Sequence, residues 1–197
     1  GYTPASGPVS LNGYSAALGV ENDPNLPAAT NVFFTGPSGA GLDNAAGDPD
    51  NSNLNGESAF YESPGVTAPG AAPGGVWIVN YHGTNITFNV SDPQASARLV
   101  VPLPTVTVSG DVVQSVNWVY QDAATGNTLA GAPAYVTDIQ VQIDGIVGGR
   151  IYNSPTLGSD ATSHTLTSGV NWSNVSMIHM AYDDTLGNQY VVSFAKP

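Results

Sequence analysis

The densest run of ligand chemistry in the chain is Asp43-Asn-Ala-Ala-Gly-Asp48-Pro-Asp50-Asn-Ser52-Asn53-Leu-Asn55-Gly-Glu57. Calcium gathers about six to eight oxygens from carboxylates, hydroxyls and carbonyls, and Asp48, Asp50 and Ser52 offer them at alternate positions. These three match positions 1, 3 and 5 of a helix-loop-helix calcium loop, and Asp43, Asn55 and Glu57 would complete the shell as the chain curls back. The match then stops, because Asn53 stands where that loop has Gly and Ala59 where it has Glu, and no flanking helix is expected. Calcium is thus the one cofactor the sequence points to, and the competing reading is a solvated acidic loop.

Other catalytic or metal chemistry finds less support. The absence of Cys removes thiol nucleophiles, thiolate metal sites and disulfides. His82, His164 and His179 share no ligand spacing, and His179, between Ile178 and Met180, reads as a hydrogen-bonded core or boundary residue. Glycoside hydrolysis needs two carboxylates facing one cleft, and the glutamates Glu21, Glu57 and Glu62 do not pair with a carboxylate in an alternating strand. No Gly-x-Ser-x-Gly pattern marks a serine nucleophile. The chain is therefore read as noncatalytic, and a secreted glycan-active hydrolase stands as the third reading.

Aromatics supply the remaining site. Trp172 follows Gly169 and Val170 in an Asn/Ser-rich turn, where an exposed indole would cover the apolar face of a sugar ring while Asn171 and Asn174 bond its hydroxyls. The competing reading has Trp172 capping the end of a β-sandwich. Trp118, in alternation with Val116 and Tyr120, reads as core. Four triplets, Asn85-Ile-Thr87, Asn89-Val-Ser91, Asn171-Trp-Ser173 and Asn174-Val-Ser176, have the form of N-glycosylation acceptors, a form that an Asn/Ser/Thr-rich chain also produces by chance.

These residues need a scaffold, and the periodicity is that of strands. Ile86, Phe88 and Val90 alternate with Asn85, Thr87 and Asn89, and Thr137, Ile139, Val141 and Ile143 alternate with Asp138, Gln140, Gln142 and Asp144. Seven short strands are expected between Thr105 and Phe194. Pro102 and Pro104 cannot donate within a central ladder and read as a break or an edge. Tyr120-Gln-Asp122 and Tyr182-Asp-Asp184 each run on to a Gly-Asn pair, which reads as a turn in which Asp accepts backbone amides and Gly takes positive φ. The strand count and these paired turns over residues 105–197 resemble bacterial surface immunoglobulin-like domains. The expected fold is all-β, an antiparallel β-sandwich of immunoglobulin-like or jelly-roll type with long Gly/Pro/Asn-rich loops in its N-terminal part. Residues 1–104 would form a loop-rich β region, separate or part of the same sandwich, and residues 105–197 the sandwich itself.

Composition bounds the partners. Of 197 residues only 9% are charged, and three basic against fifteen acidic side chains leave a net charge of −12. Without a basic patch, nucleic acid and an anionic membrane surface are unsuitable partners. No apolar run is long enough to cross a membrane as a helix, and the first twenty residues lack the basic start and apolar core of a retained signal peptide. The sparse Lys and the Asn/Thr/Gly surface suit an extracellular or cell-surface protein. The leading expectation is an exported noncatalytic module that binds polysaccharide, followed by a structural or adhesive subunit of a cell-surface assembly with a protein partner.

Overall fold

The computed structural model describes residues 1–5, 7, 17–20, 32–36, 53–54, 59–62, 75–81, 83–90 and 98–196. The chain divides into two compact units, one of residues 11–97 and one of residues 1–10 with 98–197. The first contains β1 (Ala17–Val20), β2 (Val32–Thr35), β3 (Asn53–Leu54), β4 (Ala59–Glu62), β5 (Gly75–Tyr81) and β6 (Thr84–Val90). They form two antiparallel sheets, ordered β1-β4-β3 and β2-β5-β6. Trp77 and Val79 of β5 are buried, and β6 pairs with β5 through a tight hairpin from Tyr81↔Thr84 to Gly75↔Val90.

The second unit is an antiparallel, immunoglobulin-like β-sandwich. Its strands are β7 (Val100–Ser109), β8 (Val112–Asp122), β9 (Val136–Gly145), β10 (Arg150–Asn153), β11 (Leu157–Gly158), β12 (Ser163–Thr165), β13 (Val175–Asp184) and β14 (Gln189–Ala195). One sheet runs β12-β8-β7, and the other runs β10-β9-β13-β14 with β11 also on β9. The expected alternation decides the core: Val116, Trp118 and Tyr120 of β8 meet Ile139, Val141 and Ile143 of β9 and Ile178, Met180 and Tyr182 of β13. Among the described residues the one helical element is a 3₁₀ turn at Trp172–Asn174.

Of the two readings of the prolines, the edge holds and the break does not. Pro102 and Pro104 lie within β7, opposite Tyr120 and Trp118, so the boundary expected between residues 104 and 105 falls inside a continuous strand. The physical reason is parity. The amides of Val100 and Val106 bond the Tyr182 hydroxyl and the Tyr2 carbonyl instead of β8, so residues of that parity point their N–H away from the ladder. Pro102 and Pro104 share that parity, and at an edge the missing donor removes no ladder bond. Tyr2 closes part of the edge by exchanging backbone bonds of 2.9 and 2.7 Å with Val106. The loop-rich unit thus stands in sequence between this short N-terminal segment and β7.

Both Tyr-x-Asp motifs form turns capped by the Asp carboxylate, the second one residue shorter than the first. Asp122 Oδ1 accepts the Thr125 amide and hydroxyl, and Asp184 Oδ1 accepts the amides of Leu186 and Asn188. Gly126 and Gly187 follow at φ of 73° and 82°, a conformation that favours glycine.

Candidate functional site

Asn171, Trp172 and Asn174 are brought together at one end of the sandwich, next to the β7–β8 turn. Asp111 in that turn has φ of 113°, in the left-handed half of the map, and its groups hold the neighbouring loop. Its carbonyl accepts the Trp172 amide at 2.7 Å, while its carboxylate accepts the Ser173 amide at 2.8 Å and the Ser173 hydroxyl at 2.6 Å. The Ser173 bonds hold the Asp111 carboxyl below its usual range, with a smaller contribution from Lys196. Asn171 bridges to Val112, and Asn174 donates its amide to the Asn171 carbonyl while accepting the Ile146 amide.

Asn171 and Asn174 are exposed and Trp172 is half-buried. The indole packs against the core, with the Tyr2 ring 5.5 Å from it at 42°. The Lys196 ammonium stands 4.8 Å from the ring centroid and donates to the Trp172 carbonyl at 2.7 Å. Tyr2 also donates its hydroxyl to the Ala195 carbonyl. Trp172 is therefore the middle of a clasp between the N-terminal segment and the end of β14. A sugar ring stacking here would compete with side chains already in contact with the indole.

A second constellation crosses the outward face of the larger sheet. His179 Nε2 lies 2.8 Å from Asp144 Oδ2, and its Nδ1 lies 2.8 Å from Ser193 Oγ. Arg150 Nε donates to the other Asp144 oxygen at 2.6 Å and its second nitrogen to Asn153 at 2.9 Å. Arg150 first, then His179, holds the Asp144 carboxyl below the usual range. Ser, His and Asp are the residue types of a nucleophilic triad. Here they come from three adjacent strands on the outward sheet face, with the His179 side chain 12% and that of Asp144 28% exposed. Sequence reading missed this set. The parity of Asp144 and of His179 marks both as outward, but that β14 sets Ser193 opposite His179 is a fact of register.

A third cluster anchors the chain where it begins the sandwich. The Tyr182 hydroxyl accepts the Val100 amide at 3.0 Å and donates to the Arg98 carbonyl at 3.1 Å. Tyr190, stacked on Tyr182 at 4.9 Å, accepts the Arg98 amide and donates to Asp184. The Arg98 guanidinium bonds Thr185 and lies over the Tyr135 ring. Burial pushes the Tyr182 hydroxyl far above its ordinary pKa. Burial also pushes Asp184 up, but donors from Asn188, Leu186 and Tyr190 outweigh it and leave the carboxyl below the usual range.

The proposed calcium ligands Asp43, Asp48, Asp50, Ser52, Asn55 and Glu57, and also His82, lie outside the described residues. Among the described residues no three His, Asp or Glu side chains gather to hold a metal. His164 sits away from His179, its Nε2 2.6 Å from the Tyr152 hydroxyl, and burial lowers its pKa. Trp118 is core, as its alternation implied.

No protein-family model and no curated protein sequence matches the chain. Among solved structures, domains A168–A170 of titin are similar at 13% identity with a TM-score of 0.26. That similarity covers 93% of this chain and 59% of the titin chain.

Proposed function

We propose that the chain is a noncatalytic exported module acting as a structural or adhesive subunit of a cell-surface assembly. The observation that carries this reading is the commitment of Trp172. The indole that a sugar platform would present is packed against Tyr2 and Lys196 and ties the N-terminal segment to the end of β14. The outward face of the larger sheet is mostly polar, with Asp138, Gln140, Gln142, Asp183 and Gln189 among its outward positions beside an exposed Val191. The Asp144, His179 and Ser193 array fits the same picture as a cross-strand tie, since an outward sheet face neither excludes water nor orients a substrate. An extracellular or cell-surface location is supported by the scarcity of basic residues and the Asn/Ser/Thr-rich composition.

Polysaccharide binding is kept as the second reading because the exposed amides of Asn171 and Asn174 stand on either side of Trp172 in the sequence and beside it in space. The test compares binding to an array of extracellular glycans with self-assembly followed by sedimentation. Ordered association without glycan binding is the expected result. Glycan binding that disappears in Trp172→Ala would overturn it in favour of the second reading.

A further inference from the structure

β6 is the last strand in its sheet order, and Gly83 to Asn89 are all exposed. Tyr81 and Thr84 pair across a two-residue turn, which makes Asn85, Thr87 and Asn89 the members of wide pairs. Their backbone N–H and C=O groups therefore point away from β5, toward the open edge. The segment Thr84–Val90 has no charge, proline, glycine or bulge, and Ile86 and Phe88 are 43% and 42% exposed. Folded proteins guard such an edge with Lys, Pro or a covering segment, because it otherwise templates pairing with another chain. In this same protein β7 has Pro102, Pro104 and the Tyr2 segment.

Among the described residues none covers β6 in this way, and the strand carries the acceptor triplet Asn85-Ile86-Thr87. In an extended strand residues two apart share a face, so Asn85 and Thr87 stand together, opposite the face of Ile86 and Phe88. Asn85 Oδ1 accepts from Asn80 Nδ2 at 2.7 Å, and its own Nδ2 has no partner among the described residues. The two triplets of the sandwich differ: Ser173 Oγ is bonded to Asp111 at 2.6 Å, and Ser176 Oγ to the carbonyls of Asp144 and Gly145 at 3.2 and 2.9 Å. Ser91, which completes the triplet of Asn89, lies outside the described residues.

We infer that Asn85 is an N-glycosylation site and that its glycan guards the β6 edge. The inference rests on the export in the reading above, which would bring the chain to the glycan donor. The donor class is an oligosaccharide linked to a polyprenyl pyrophosphate. The bond from sugar C1 to the phosphate oxygen breaks and the lipid pyrophosphate leaves with the electron pair. A bond from Asn85 Nδ2 to C1 forms, and the amide nitrogen gives up one proton, so no oxidant or reductant is required. A bulky polar chain at this position would deny the exposed amides to a second strand.

The test uses the chain recovered from its own organism. Cell-surface and secreted fractions are separated from the cell interior, and the peptide containing Asn85 is treated with a glycan-releasing amidase in heavy-oxygen water. Conversion of residue 85 to labelled Asp in most of the exported chain is expected. In the same host Thr87→Ser should keep the glycan, and Thr87→Ala should lose it and sediment as larger species. Exported chain with unmodified Asn85 would overturn the site while leaving export intact, whereas chain confined to the cell interior would overturn export itself. A bare Thr87→Ala chain that sediments as the glycosylated chain does would overturn the guarding role. A natural bare chain that pairs through β6 would make the edge an interface between copies, which also overturns the proposal.

Discussion

Tyr182→Phe isolates one hydroxyl at the anchor of the sandwich. The ring is 1% exposed and stacks on Tyr190, and phenylalanine keeps both packing and stacking. What disappears is an acceptor for the Val100 amide at 3.0 Å and a donor to the Arg98 carbonyl at 3.1 Å. Val100 is 1% exposed, so water cannot replace the acceptor, while the half-buried Arg98 carbonyl can be rehydrated. A stranded buried donor costs about 1–3 kcal/mol and a lost bond about 0.5–1.5 kcal/mol, which together give about 2–3 kcal/mol here. In a unit of about 110 residues each kcal/mol moves the midpoint by roughly 4 °C, so a fall of about 8–12 °C is expected. Calorimetry should show it in the transition of the sandwich and not in that of residues 11–97. Tyr190→Phe breaks longer bonds, 3.3 Å from Arg98 and 3.2 Å to Asp184, and leaves Asp184 its other donors. It should cost about 1 kcal/mol. A Tyr182→Phe protein within about 0.5 kcal/mol of the parent, or less affected than Tyr190→Phe, would refute the claim that this hydroxyl satisfies the Val100 amide.

Two further outcomes follow from the same geometry. Asp111, Asp122, Asp144 and Asp184 have pKa values lowered by folding, so their stabilisation is complete above the unfolded carboxylate range near pH 4 and is lost as pH falls through their lower folded values. Asp183 is raised, first by burial and also by Asp138 and Asp184, so it destabilises at neutral pH and gives that cost back as it takes up a proton. A melting curve series should therefore be flat or slightly rising from pH 7 to about 4.5 and fall below about 4, and a steep loss by pH 5 would contradict it. Asp111→Gly removes both carboxylate bonds to Ser173 while relieving the positive φ, so hydrogen exchange at the Ser173 amide should quicken with the β-sheet amides unchanged. An unchanged Ser173 rate would mean that the loop holds itself.

Those elements whose determinants are local were readable from the residues. The alternation of Ile139, Val141 and Ile143 against Gln140, Gln142 and Asp144 specifies a one-sided strand, and the Asp and Gly of each Tyr-x-Asp turn act within five residues of one another. What escaped depends on partners distant in sequence. Pro102 and Pro104 fit inside β7 because of which edge they occupy, and that follows from Tyr182 and Tyr2, not from the prolines' neighbours. Trp172 lies beside Asn171 and Asn174 because they are neighbours in sequence, but its contact with Tyr2 joins residues 170 apart and could not be read locally. The Asp144, His179 and Ser193 set needs two strand registers at once.

The use of the three basic side chains narrows the partner chemistry. Arg98 is spent on Thr185 and the Tyr135 ring where the chain begins the sandwich, Arg150 on Asp144 and Asn153 beside β10, and Lys196 on the Trp172 carbonyl and ring at the clasp. Each cation joins segments that are distant in sequence or fixes a strand edge, so recruiting one to an external anion would release a bond that holds the unit together. The acidic side chains are in large excess, and the net charge of −12 keeps similar acidic surfaces apart at low salt. On the proposed role, a partner docking on the Gln- and Asp-bearing sheet face would bring cations or hydrogen-bonding groups of its own, such as amides and hydroxyls. That requirement suits a protein surface, and it disfavours phosphate-bearing ligands on either face of the sandwich.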